Sequence, residues 1–181
     1  MWRLADWLVG AQGGALLLAD WPENPSPISQ SANQPTTHTF QKHNPMPVTF
    51  TTTYLGDLRT RMVHGPSGTV VETDAPVDNH GKGERFSPTD LVASALGSCM
   101  LTIMGIVAKR DGLVLDGTVV AVEKHMTSEL PRRIAKIVVR FTMAAGIPAD
   151  ARTKLEKAAH TCPVALSLHP DVQQDVAFTW P

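Results

Sequence analysis

The chain has 181 residues, 43% of them hydrophobic, with sixteen Lys and Arg against seventeen Asp and Glu. That is enough apolar content for one globular domain with a sizeable core. The near-neutral charge and scattered basic residues exclude a nucleic-acid footprint, so function has to come from a site. Two cysteines, Cys99 and Cys162, are too few for a disulfide-dense secreted scaffold. A reducing, cytoplasmic compartment is expected.

Residues 1–45 read as an extension outside the domain. Ala15-Leu-Leu-Leu-Ala19 is apolar, but a secretory leader wants a basic n-region, and here only Arg3 is positive while Asp6 interrupts the segment. Pro22, Pro25, Pro27, Pro35, Pro45 and Pro47 then fall among Ser, Thr, Asn and Gln, a composition that cannot bury a core. Two origins stand: translation upstream of a true start at Met46, or a cleaved leader. Either way a chain beginning at Met46 is expected to fold and associate as the whole chain does. Thermal melts of the two check this, and a loss of more than a few degrees on truncation would show that the extension packs on the domain.

From Met46 onward the pattern is regular. Val48–Leu55, Leu58–His64 and Thr69–Thr73 are rich in β-branched and aromatic residues, with turns expected at Gly56-Asp57 and at Gly65–Gly68. A three-stranded antiparallel meander is predicted. Residues 74–86 form a polar loop carrying Gly81 and Gly83, of a length that tends to be functional.

The central helix carries clear boundary signals. Ser87 suits the N-cap, Pro88 the first helical position and Asp90 the third, as in a capping box. Lys109 and Arg110 suit the negative end, and Gly112 ends the helix. Seventeen residues from Leu91 to Val107 carry no charge, which is just short of a membrane span and interrupted by Ser94, Gly97, Ser98 and Thr102. A helix apolar on all faces is expected to be buried on all faces, with Ala93, Ser94, Gly97 and Gly105 allowing close backbone approach.

Gly117–Met126 and Arg133–Met143 read as a hairpin turned at Ser128–Pro131. Pro148–His160 is a second helix, Pro163–Leu168 a short third, and alternating Val176, Phe178 and Trp180 a closing strand. The order βββ, α, ββ, α, α, β is an α+β pattern.

Two thiols in structured segments suggest a redox pair. Cysteine is also among the most buried residue types, so the pair could simply be core. His160 and Cys162 lie two apart with His169 beyond, but no fourth ligand or zinc spacing accompanies them, and neither metal nor cofactor is expected. His64, His80 and His125 read as strand or loop residues. Cys162, before Pro163, could cap the short helix; the dipole would then lower its pKa and physics alone would allow it to be the attacking thiol.

Phe86-Ser-Pro-Thr-Asp-Leu-Val-Ala-Ser-Ala-Leu-Gly-Ser-Cys99-Met, with His160-Thr-Cys162-Pro-Val-Ala-Leu-Ser downstream, resembles the OsmC/Ohr family of thiol-dependent peroxidases from about Met46 to the C-terminus. The resemblance implies antiparallel sheets wrapped around a long buried helix in an intertwined homodimer, with sites at the subunit interface. It implies that Cys99 attacks an organic hydroperoxide, that Cys162 resolves the sulfenic acid as a disulfide, and that a dithiol such as a lipoylated protein reduces it. Cys99 lies too deep in its helix to profit from the dipole, so a cation must stabilise its thiolate. Arg59 matches the family's arginine best, with Arg61 and Arg85 as competitors. Leu96, Met100 and Phe86 are expected to line an apolar substrate pocket.

One departure bears on activity. Peroxidase members usually carry glutamate after the helix-start proline, where it orients the arginine; this chain has Thr89. Asp90 is one residue further, turned by about 100° on a helix. The expectation is an Arg59 without its usual carboxylate and a slow peroxidase. The alternative is a redox sensor or a binder of small apolar ligands that keeps the dimer and thiols.

Overall fold

Three short β-rich runs, each closed by a tight turn, begin the fold. The computed structural model describes residues 47–181; the extension read over residues 1–45 lies outside the described residues. Strands β1 (Phe50–Gly56), β2 (Arg59–His64) and β3 (Val70–Asp74) form an antiparallel meander. The first turn falls one residue later than the sequence suggested. Gly56 is the last residue of β1, and Asp57 and Leu58 carry the turn with φ of 49° and 60°. Positive φ at both central residues is what a type I′ hairpin demands, and its twist matches the strands it joins. Leu58 therefore does not alternate in β2, and Arg59 opens that strand.

Residues 75–86 fold back on β3 rather than straying from it. Ala75 N–H donates to Leu58 O, Gly83 N–H to Ala75 O and Asp74 N–H to Phe86 O. A Cβ at Gly81 would sit 1.8 Å from Ala75 O, so this loop closes only around glycine there.

Helix α1 (Pro88–Asp111) begins and ends as its sequence dictates. Asp90 N–H donates to Ser87 Oγ at 3.1 Å and Ser87 N–H to Asp90 Oδ2 at 2.7 Å, completing the capping box. Gly112 ends the helix at φ 72°. Ala93, Leu96, Gly97, Met100, Met104 and Ala108 form one buried stripe at helical spacing. By length and composition this helix could cross a membrane, its best 18-residue window having a mean hydropathy of 2.1. Within the chain it is not buried on every face: Val92 and Ile106 are exposed, 61% in the case of Ile106. The expectation of burial on all faces is thus met on one side of α1 only.

The second sheet has the order β4-β5-β6, with β4 (Val119–Met126), β5 (Ile134–Thr142) and β6 (Gln173–Thr179). Strands β4 and β5 are the expected hairpin. The expectation of antiparallel sheets fails at β6, which pairs with β5 in parallel. Between them the chain passes through α2 (Ala149–Ala159) and α3 (Pro163–Ser167). This helical crossover returns it to the starting end of β5, the connection that parallel strands require. The core lies where this unit meets α1. Leu96, Met100, Met104, Ile137, Val139, Leu155 and Cys162 are fully buried together, and Phe141 stacks on Phe178 at 4.9 Å.

Candidate active site

The two cysteines, distant in sequence, meet where α1 crosses α3. Cys99 sits midway along α1 and is partly exposed, whereas Cys162 is fully buried in the core. Both are free thiols, and the Cys99 sulfur lies near enough to act on the Cys162 thiol. Cys162 caps α3, its Sγ accepting from Ala165 N–H at 3.2 Å. That contact favours a thiolate, but burial dominates and, with the neighbouring Cys99 sulfur, pushes the Cys162 thiol above its ordinary value. The reading in which a helix dipole activates Cys162 is thus opposed by its burial.

Arg59 stands at the head of β2, opposite Asp74 at the end of β3. The pair is bidentate: Nε to Oδ1 at 2.6 Å and Nη2 to Oδ2 at 2.8 Å. Nη2 also donates to Glu84 Oε2 at 2.6 Å. Asp74 is 2% exposed and further accepts Glu84 N–H at 3.1 Å. Its hydrogen bonds from Arg59 hold the Asp74 carboxyl below the usual range despite burial, and the same bonds raise the guanidinium. Arg85 joins the network through Glu72 at 2.8 Å and Glu84 at 3.7 Å. Arg61, the other candidate cation, forms no ion pair among the described residues. The guanidinium of Arg59 bonds to these two carboxylates and, among the described residues, to neither sulfur.

The expectation of an arginine left without a carboxylate is therefore overturned. Its partners are Asp74 and Glu84, which the sequence reading passed over as part of a polar loop. The register supplies the missing signal: the turn that follows His64 pairs β2 with β3 so that Arg59 stands opposite Asp74.

At the start of α1, Thr89 and Asp90 are occupied with another cation. Lys124 Nζ, on β4, donates to Ser87 Oγ at 3.3 Å, Thr89 Oγ1 at 2.8 Å and Asp90 Oδ1 at 2.5 Å. Burial alone would raise the Asp90 carboxyl, but Lys124 and the Ser87 backbone outweigh it and hold it low. Asp90 is thus a cap residue and the partner of Lys124. Lys124 was not anticipated, because in sequence it is one alternating strand residue.

A cavity of about 450 Å³ opens beside this cluster, lined by Glu84, Arg85, Phe86, Asp90, Ser94 and Lys124 among others. Of the expected pocket residues, Phe86 does line it, at 58% exposure. Leu96 and Met100 do not, because they form the core stripe of α1 and are fully buried.

Residues 81–176 match the family of OsmC-like proteins, and the chain belongs to that family. The crystal structure of a protein from Psychrobacter arcticus, provisionally described as an osmotic stress induced and detoxification response protein, is 43% identical with a TM-score of 0.71. The match covers 76% of this chain and 99% of that one. The organic hydroperoxide resistance protein OsmC of Legionella pneumophila shares the fold at 14% identity, TM-score 0.60, over 74% and 97% of the two chains. The organic hydroperoxide resistance protein OhrB of Bacillus subtilis does so at 14%, TM-score 0.54, over 74% and 98%. No curated protein matches the chain.

Proposed function

We propose that this protein is a cysteine-based peroxidase that reduces organic hydroperoxides. The observation that carries the reading is the meeting of its only two cysteines, one partly exposed and one buried behind it. The Cys99 thiolate attacks the terminal oxygen of R–O–O–H, the O–O bond breaks, and R–O⁻ leaves and takes a proton as the alcohol. Cys99 is left as the sulfenic acid. Cys162 then attacks the Cys99 sulfur, forming the disulfide and releasing water. A dithiol, such as the dihydrolipoyl group of a lipoylated protein, returns both cysteines to thiols by exchange.

The arrangement suits this order of roles. The thiol that must meet a bulky substrate is the more accessible one, while the buried partner is protected from over-oxidation yet poised to trap the product. Arg59, held by its carboxylates, is the cation proposed to serve Cys99. A homodimer completes the site: Phe50, Tyr54 and Val71 are exposed on the first sheet, Leu58 at its first turn, and Val92 and Ile106 on α1. Apolar surface of that extent seeks a second copy of the chain. The proposed compartment is the cytoplasm.

A second reading, a redox sensor or apolar-ligand binder with little turnover, is favoured by one observation. Arg59 is committed to Asp74 and Glu84 and bonds to neither thiol within the chain. Reduced protein supplied with a dithiol and either an alkyl hydroperoxide or hydrogen peroxide separates the readings. Catalytic consumption of the alkyl hydroperoxide, faster than of hydrogen peroxide, supports the peroxidase. Stoichiometric thiol oxidation without turnover supports the sensor, and thiols that survive both oxidants support the binder.

A further inference from the structure

The geometry points to Asp74 as the positioning residue of the site: its buried carboxylate fixes the Arg59 guanidinium in the orientation that serves Cys99, a task for which Thr89 is not available. This rests on the proposed role of Arg59 toward Cys99.

The argument begins with which carboxylates reach Arg59. Among the described residues there are two, Asp74 and Glu84. They differ in kind. Asp74 is 2% exposed, binds both Nε and Nη2, and lies directly across the sheet from Arg59. A bidentate fork fixes the plane of a guanidinium, whereas a single contact leaves it free to swing. Glu84 makes only that single contact, from a side chain 61% exposed. Such a bond is screened by water and restrains little.

Asp74 is also held from behind. Glu84 N–H donates to its Oδ2, and its own N–H donates to Phe86 O. The clamp is therefore anchored in backbone on both sides, as a group that positions another must be. Thr89 cannot share the work, because its hydroxyl is bonded to Ser87 and Lys124 at the start of α1. Asp90 is likewise spent on the cap and on Lys124. The charged groups around Asp74 are Arg59, Arg85, Glu84 and, through Arg85, Glu72.

A positioning role and a merely electrostatic one predict opposite signs. Asp74→Asn deletes a negative charge beside the activating cation. Were Arg59 to stay in place, the Cys99 thiolate would be stabilised as well or better, and Cys99 would react as fast or faster. Only loss of position makes it slower. Glu84→Gln is the internal control, since it removes the same charge from the same arginine but leaves the fork intact.

Two rates would be measured on the full chain for the parent, Asp74→Asn, Asp74→Glu, Glu84→Gln and Arg59→Ala. One is stopped-flow oxidation by an alkyl hydroperoxide, and the other is iodoacetamide alkylation of Cys99 against pH, read by peptide mass. Asp74→Asn is expected to lose about 10²-fold in peroxide rate, the scale of a misplaced reacting group. Its alkylation profile should move to higher pH, as in Arg59→Ala. Glu84→Gln, which loses one solvent-screened contact and keeps the fork, should lose far less than Asp74→Asn. Asp74→Glu keeps the charge but lengthens the arm by one methylene, so its rate should lie between, which keeps the test alive if the asparagine variant fails to fold. A parent that is not oxidised by hydroperoxide, with the same order preserved in alkylation, would sink the peroxidase reading and leave the role of Asp74 standing. Either aspartate variant reacting as fast as the parent in both assays would overturn it.

Discussion

Cys99→Ser is expected to abolish hydroperoxide consumption completely, while Cys162→Ser is expected to permit one oxidation and no second. The difference follows from the chemistry at each sulfur. A serine hydroxyl cannot displace an alcohol from an O–O bond at neutral pH, so nothing replaces the Cys99 thiolate. Without Cys162 the first step still runs, but the sulfenic acid finds no intramolecular thiol and accumulates, to be trapped by dimedone or driven further up the oxidation ladder. In the parent, the same hydroperoxide should remove two free thiols per chain without linking two chains. Burial sets the pH dependence of the second step. The Cys162 thiol is pushed above its ordinary value by burial and by Cys99, so its thiolate fraction keeps growing beyond about pH 8.5, the value of a free cysteine. Disulfide closure should therefore still accelerate with pH above that point. The linked stability runs the other way: a cysteine whose folded pKa is raised contributes stability below the unfolded value that is lost as pH rises through the folded one. Peptide mass spectrometry decides the assignment, because Cys162 oxidised first with Cys99 inert would exchange the two roles.

Much of this site was legible before any coordinates, for reasons that differ from residue to residue. The start of α1 was plain because capping is local: Ser87, Pro88 and Asp90 satisfy backbone groups within one turn, and the structure shows both capping-box bonds. Gly112 is equally local. The approach of Cys99 to Cys162 is not local: two thiols in structured segments suggest a pair, and only the family resemblance orders their roles. The partners of Arg59 were illegible because strand pairing decides them, and a one-residue shift between β2 and β3 would change which residue faces Asp74. Lys124 was hidden for the same reason, since its three acceptors lie more than thirty residues away in the chain. The parallel β6 escaped because strand direction depends on where α2 and α3 deliver the chain. Residues that act on immediate neighbours can be read from sequence, while those that act across a sheet need its register.

Gly97→Leu is expected to be the most damaging single change outside the site, lowering the melting temperature by roughly ten degrees. Gly97 lies on the buried stripe of α1, two residues before Cys99, and faces β4. A Cβ there would stand 2.8 Å from Val122 Cγ2 and 3.2 Å from Val120 Cγ2. These methyls belong to stiff β-branched side chains on a paired strand, so they yield little. Gly97→Ala sets two effects against each other. Helix propensity gains about 1 kcal/mol in a helix interior, while overpacking costs about 1–3 kcal/mol, leaving a small net loss. Leucine keeps most of the propensity gain but must place three further carbons where α1 meets β4, so about 3 kcal/mol is lost at the upper end of that overpacking range. At about 3–4 °C per kcal/mol for a domain of this size, the melt should fall by about 10 °C. The chemistry should suffer with it. Displacing α1 from β4 moves Cys99 relative to Cys162 on α3, so disulfide closure should slow even at temperatures where the variant is folded. Differential scanning calorimetry and thiol counting after a hydroperoxide pulse measure the two effects. A leucine variant that melts with the parent would show that α1 can shift on β4 without penalty, and that the close approach at Gly97 is incidental to the fold.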